Sequence, residues 1–141
     1  MNQNRYLSFE PKKKGHIVTQ LVRMLEQRKE IIFSMLHGSF INNDRFRDID
    51  VAVWLTGDKM DPNDTLDYEL RLSVEISYAL NLPVDVKVLN FAPLGFQYSA
   101  VSGRLLTCTD DDFRVDTIVS IWNQYFDFLP KSKEFLLEMI S

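Results

Sequence analysis

The chain has 141 residues and a single cysteine, Cys108. It can form no internal disulfide and no cysteine-based zinc cage. Of its two histidines, His37 is read as a local hydrogen-bonding group and His16 as a surface residue. No stretch approaches the roughly 20 apolar residues of a membrane span. Met1–Gly15 is polar and lacks the apolar centre of a signal peptide. These absences lead to the expectation of a cytoplasmic protein with no membrane partner. Basic residues are also scarce. Lys and Arg number 16 against 20 Asp and Glu, a formal net charge of −4. That balance argues against direct, non-specific binding to nucleic acid. It admits a small anionic ligand such as ATP, because metal ions and a few local bases can screen one site.

What is present suits one folded unit. Hydrophobic residues make up 45%, with ten Phe and two Trp, enough for a core. Trp54 and Trp122 are most simply core residues. Nothing repeats, and no linker divides the chain, so residues 1–141 are read as a single domain. About 1–15 is expected to be a flexible N-terminal arm, with Lys12-Lys13-Lys14 a solvated basic run on it.

The apolar spacing predicts a helix over Ile17–Arg28, with Ile17, Leu21 and Leu25 at i, i+4 and i+8. Ile31–Leu36 is a short apolar run suited to a buried strand, and Arg47–Leu55 is a second strand. Gly57–Asn63 is a turn-rich loop. Asp64 or Thr65 would cap a helix reaching Leu80, with Leu66, Leu70, Val74 and Tyr78 on one stripe. Asn81 stops it, and a third strand covers Val84–Leu89. Ala92–Ala100 reads as a short helix and Arg104–Cys108 as a short strand. A last helix runs from about Asp112 to Phe128, where Pro130 breaks it. The order implies an α+β (α/β) fold, a small mixed sheet flanked by helices with helices at the C-terminus.

The chemistry concentrates in three places. Asp48-Ile49-Asp50-Val51-Ala52-Val53-Trp54-Leu55 alternates like a strand, so Asp48 and Asp50 share a face about 6.6 Å apart along it. Gly38-Ser39 precedes them, small enough for a backbone to approach a phosphate. Val84-Asp85-Val86-Lys87-Val88 repeats the alternation. Beside the first strand it would bring Asp85 within one strand spacing, about 4.8 Å. Three such carboxylates repel each other unless one protonates or a cation intervenes. Mg²⁺ suits carboxylate and phosphate oxygens. Two such ions would bridge the phosphates of a nucleotide and polarise the attacking oxygen. On this reading Asp48, Asp50 and Asp85 hold metal, and Asp85 also helps to deprotonate the acceptor. Gly38 and Ser39 grip a phosphate, and Arg45 and Arg47 neutralise its charge.

The residues that carry this chemistry also carry a family resemblance. Gly38-Ser39, Asp48-Ile49-Asp50 and Asp85 resemble the signature of the minimal nucleotidyltransferases of the DNA polymerase β-like superfamily. Asn90-Phe91-Ala92-Pro93, Gly103-Arg104-Leu105-Leu106 and Tyr125–Pro130 look like the antitoxin-type branch, so the resemblance spans roughly Ile17–Ile140. It departs from the pattern in two ways. The loop between Ser39 and Asp48 is short, and Asn42 stands where the family carries an arginine. Arg45 or Arg47 would then have to replace that arginine. The resemblance implies a Mg²⁺-dependent enzyme that transfers AMP from ATP to a tyrosine hydroxyl of a partner HEPN-domain toxin, itself a ribonuclease. The alternatives are a nucleotidyltransferase-fold module that neutralises its partner by contact, and an antibiotic-type enzyme acting on small molecules. The apolar surface of Ile118, Ile121, Trp122 and Phe126 has three readings: core, homodimer face or toxin face.

Overall fold

Four strands form the main sheet of the computed structural model, which describes residues 6–57 and 60–140. They are β2 (Ile31–His37), β4 (Ile49–Leu55), β5 (Val84–Val88) and β6 (Arg104–Cys108), in the spatial order β5-β4-β2-β6. β4 runs antiparallel to β2 and parallel to β5, and β2 runs antiparallel to β6. A small separate ribbon pairs β1 (Leu7–Ser8) with β3 (Arg45–Phe46). Among the described residues the α-helices are α1 (Pro11–Glu26), α2 (Ser39–Asn42), α3 (Thr65–Leu80), α4 (Leu94–Val101) and α5 (Asp111–Ile140).

Strand alternation sorts the side chains into two cores. Ile49, Val51, Val53 and Leu55 of β4 join Val84, Val86 and Val88 of β5 on one face. Ile17, Val18, Leu21 and Leu25 of α1 and Leu72 and Ile76 of α3 pack there. The opposite face presents Phe33, Met35 and Ala52 to Ala100, Val101 and Ile121 of α4 and α5. A sheet buried on both faces reads as near-continuous apolar runs, which is why β2 and β4 stand out in the sequence.

Several boundaries differ from expectation. α1 begins at Pro11, whose fixed φ suits a first helical turn. Of the expected arm, residues 1–5 lie outside the described residues, Leu7–Ser8 form β1, and Pro11–Gly15 open the helix. β4 begins at Ile49, where the Ile49 N–H donates to the Pro83 carbonyl at 2.9 Å. Asp48 therefore lies just ahead of the strand. The Asp64 side chain caps nothing. Instead a 3₁₀ turn over Pro62–Asp64 leads into α3, and the Asp61 side chain accepts from the Asn63 N–H at 2.9 Å. Asp58 and Lys59 of the expected loop lie outside the described residues. Asn81 does stop α3, in the left-handed region at φ 54°. α5 continues through Pro130. The proline removes one N–H, and the carbonyl it would have met, on Phe126, lies on an exposed stretch where water can take the bond. Within that helix Ile121 is buried, whereas Trp122 and Phe126 are exposed, so Trp122 is not a core residue.

The α3 stripe also turns outward. Leu66, Leu70, Val74 and Tyr78 all face solvent, Tyr78 at 89%. The adjacent polar row is spent on the sheet edge. The backbone N–H groups of Val84, Val86 and Val88 donate to the Ser77 Oγ, Ser73 Oγ and Glu69 Oε2 at 2.9, 2.8 and 2.7 Å. Unpaired edge donors must find partners. α3 rotates to supply them, and Leu72 and Ile76 become its buried side.

Candidate active site

Sheet register assembles the centre of the site. Asp50 on β4 lies opposite Asp85 on parallel β5, and opposite His37 on antiparallel β2. Side chains in register share a face, so Asp85, Asp50 and His37 form one row across three strands. The row occupies the end of the α4–α5 face that the apolar core leaves open. Asp48 is exposed just before β4 and acts on Asp50 electrostatically.

Gly38 follows β2 directly, at φ 82° and ψ −158°. That backbone region is essentially closed to residues with a Cβ. Space excludes one as well, since a Cβ there would meet the Asp50 Oδ2 well inside 3.0 Å. The main chain of the Gly38-Ser39 turn thus lies against the Asp50 carboxylate. Gly103 braces the same corner, because a Cβ on it would strike the Leu36 carbonyl and come within 3.1 Å of the His37 Cβ. Ser39 is the first residue of α2 and half-buried.

This crowding shows in proton affinity. Burial, then the neighbouring Asp85 and Asp48, push Asp50 up to about 6, while Lys87 opposes them. Lys87 lies two residues along β5 from Asp85, with its Nζ 3.9 Å from the Asp85 Oδ1. Burial holds His37 below the usual imidazole range, against the pull of Asp85. The His37 Nε2 is buried and has no hydrogen-bond partner, so the expected local hydrogen-bonding role is not seen at that atom. Its ring meets Phe96 edge-on at 5.5 Å.

A cleft of about 760 Å³ opens beside His37 and Gly38. Asn42, Tyr98, Ser102, Arg104 and Tyr125 line it. Tyr98 and Tyr125 stack face to face at 3.9 Å, tying α4 to α5. Neither Arg45 nor Arg47 is among its wall residues. Arg45 is an exposed residue of β3, and Arg47 follows it with its guanidinium 5.8 Å from the Tyr6 ring. The arginine on the wall is Arg104, exposed at the start of β6 opposite Leu36. A base arriving from another strand leaves no local spacing signal, although the Gly103-Arg104 turn is visible in the sequence. Lys14 also departs from the expectation of a solvated residue. Its ammonium donates to the carbonyls of Phe40 at 2.8 Å and Asn43 at 3.0 Å, closing the far end of α2.

The donor set fits a hard divalent cation. All three carboxylates offer oxygen, and Asp50 is held against its own ionisation by burial and then by its acidic neighbours. Among the described residues no three His, Cys, Asp or Glu side chains converge on a single point. The same residues include no helix long and apolar enough to cross a membrane.

Comparison with known proteins bears on the fold and the family. No characterised protein sequence matches the chain. Solved structures do. A chain in the complex of a tri-AMPylated Shewanella oneidensis HEPN toxin with its MNT antitoxin superposes with a TM-score of 0.68 at 18% identity, covering 91% of this chain and 99% of that one. A chain of the toxin–antitoxin MntA-HepT gives 0.67 at 18% identity, covering 90% and 99%. A toxin–antitoxin structure with AMP-PNP gives 0.69 at 20%, covering 88% and 98%. These likenesses establish a shared fold. The family model "Polymerase beta, Nucleotidyltransferase" matches residues 19–112, which hold the Gly38-Ser39 turn, both central strands and Asp85. With the acids in register and the turn lying against them, the chain belongs to the polymerase β nucleotidyltransferase family.

Proposed function

We propose that this chain is an antitoxin-type nucleotidyltransferase of the cytoplasm that transfers AMP from ATP to a tyrosine hydroxyl of a HEPN-domain toxin. One observation carries the reading: the backbone of the Gly38-Ser39 turn lies directly on the Asp50 carboxylate, with Asp85 beside it in register. A phosphate gripped by the turn would therefore lie beside the acids. The comparisons support the partner class, since similar folds occur in complexes with HEPN toxins, one of them tri-AMPylated.

Asp48, Asp50 and Asp85 would hold Mg²⁺, two ions shared with the phosphates of ATP. Bound there, the metal would neutralise phosphate charge and polarise the α-phosphorus. Gly38 lets the main chain reach the phosphates, and Ser39 adds a hydroxyl. Arg104 on the cleft wall is better placed than Arg45 or Arg47 to meet the remaining charge. Asp85 accepts the proton of the attacking hydroxyl. The new bond joins the tyrosine oxygen to the α-phosphorus, and the bond to pyrophosphate breaks.

The test uses α-labelled ATP, Mg²⁺ and the partner protein encoded beside this one. Label on the partner with the wild type, absent with Asp50→Asn, is the expected result. A second reading is favoured by one feature: Asn42, standing in place of the family arginine, lines the cleft. A module that acts by contact would form the complex and neutralise the toxin equally well with Asp50→Asn. Ribonuclease activity left unchanged by wild-type AMP transfer would sink the first reading.

A further inference from the structure

The row of acids has a hollow on each flank. On the β2 side lies the cleft beside Gly38. On the β5 side a second hollow of about 340 Å³ opens between the start of α3 and the start of α4. Thr65, Glu69, Lys87, Phe91, Pro93 and Phe96 are among its walls. We propose that this second hollow receives the aromatic hydroxyl side chain of the acceptor protein. The inference rests on the nucleotidyl-transfer reading and deepens it.

Two residues tie the hollow to the acids. Lys87 lines it and reaches to 3.9 Å from Asp85. Phe96 lines it and touches His37, the register partner of Asp50. A group held there comes to the row from the Asp85 side. The turn at Gly38 holds the phosphates from the opposite side. Phosphoryl-type displacement needs its entering and leaving oxygens roughly in line, on opposite sides of the phosphorus. Hollows on the β2 and β5 flanks of the row are compatible with that arrangement, with pyrophosphate departing toward Gly38.

The chemistry of the walls selects the occupant. Phe91 is 49% exposed, and with Phe96 and Pro93 it offers apolar surface to a ring. A serine or threonine side chain would leave that surface unfilled. The Lys87 ammonium stabilises the developing phenolate, and Asp85 takes the proton as the tyrosine oxygen bonds to the α-phosphorus and the pyrophosphate oxygen leaves. The hollow also borders a helix whose outer face is apolar and exposed. Thr65 and Glu69 of its wall adjoin Leu66 and Leu70 on the outer face of α3, and Val74 continues the stripe, each of the three apolar residues more than half exposed.

Two measurements test this, one independent of catalysis. The first titrates N-acetyltyrosinamide into the isotopically labelled chain with Mg²⁺ and AMP-PNP, and maps amide shifts. Shifts at Lys87, Val88, Phe91 and Phe96, lost in Phe91→Ser and weaker with N-acetylserinamide, are expected. No shifts, or shifts confined elsewhere, overturn the site. The second compares wild type and Phe91→Ser in AMP transfer to the partner. The acceptor KM should rise about tenfold, as loss of one apolar ring contact predicts, while the KM for ATP holds. An unchanged acceptor KM also overturns the site and leaves the transfer reading standing. The expected shifts without any transfer by the wild type would keep the aromatic site and remove the transfer reading.

Discussion

Replacing Asp50 with Asn should make the metal-free protein more stable while removing its chemistry. Asp50 moves from an ordinary 3.8 to about 6, chiefly through burial and then through Asp85 and Asp48. A tenfold change in proton affinity is worth about 1.4 kcal/mol, so ionised Asp50 would cost the fold at most ~3 kcal/mol. Its side chain is only half-buried, and solvent screening reduces this to about 1–2 kcal/mol. The sign follows from linkage. The native state holds the proton more tightly than the unfolded chain, so the destabilisation is absent below pH 3.8. It grows as pH rises toward about 6 and is constant above. Asn keeps the shape and never ionises. Thermal melts in chelator should show Asp50→Asn equal to wild type near pH 4 and higher in Tm by roughly 3–8 °C at pH 8. Mg²⁺ should reverse the order once it is at about hundredfold excess over its Kd, which adds about 2.7 kcal/mol to whichever protein binds it. AMP transfer should fall on the order of a hundredfold or more, because the proposed metal site would lose its central carboxylate. An Asp50→Asn protein less stable than wild type at pH 8 in chelator would refute the crowding argument.

Gly38→Ala should lose about 1–3 kcal/mol from the backbone region alone and displace the Asp50 carboxylate, abolishing transfer; a variant with native melting and activity would contradict the geometry. Lys14→Met removes two charge-assisted hydrogen bonds that close α2, one of them exposed. It should cost about 1–2 kcal/mol in urea unfolding and raise the KM for ATP more than it lowers kcat. An unchanged KM would confine Lys14 to a role in stability. Asn90→Ala strips the Leu55 N–H and carbonyl of partners that each lie at 2.9 Å, and a drop of about 2 kcal/mol in unfolding free energy should follow. A drop under about 0.5 kcal/mol would mean that water replaces both bonds.

Much of the centre is legible in the sequence because it is local or periodic. Alternation in 49–55 and 84–88 assigns every valine to the right face, and register then brings Asp85 beside Asp50. Gly38 is readable as a point of close backbone approach, expected toward a phosphate, and the structure adds that its backbone also lies against the Asp50 carboxylate. The failures have separate causes. Lys14 and Arg104 act on elements distant in sequence, so nothing near them announces their targets. The α3 stripe misleads because hydrophobic spacing identifies a helix without saying which row the fold will bury. There, three edge donors on β5 outweigh four apolar side chains. Pro130 misleads because a helix with water along its side can lose one bond and continue.

That sealed edge constrains how any other molecule can engage this chain. β5 borders the acid row, and an open strand there would have invited peptides to zip on by main-chain pairing alone, with little regard to sequence. Ser73, Ser77 and Glu69 have taken the outward donors. Whatever approaches Asp85 must be identified by its side chains, and selectivity is thereby built into the wall nearest the candidate site.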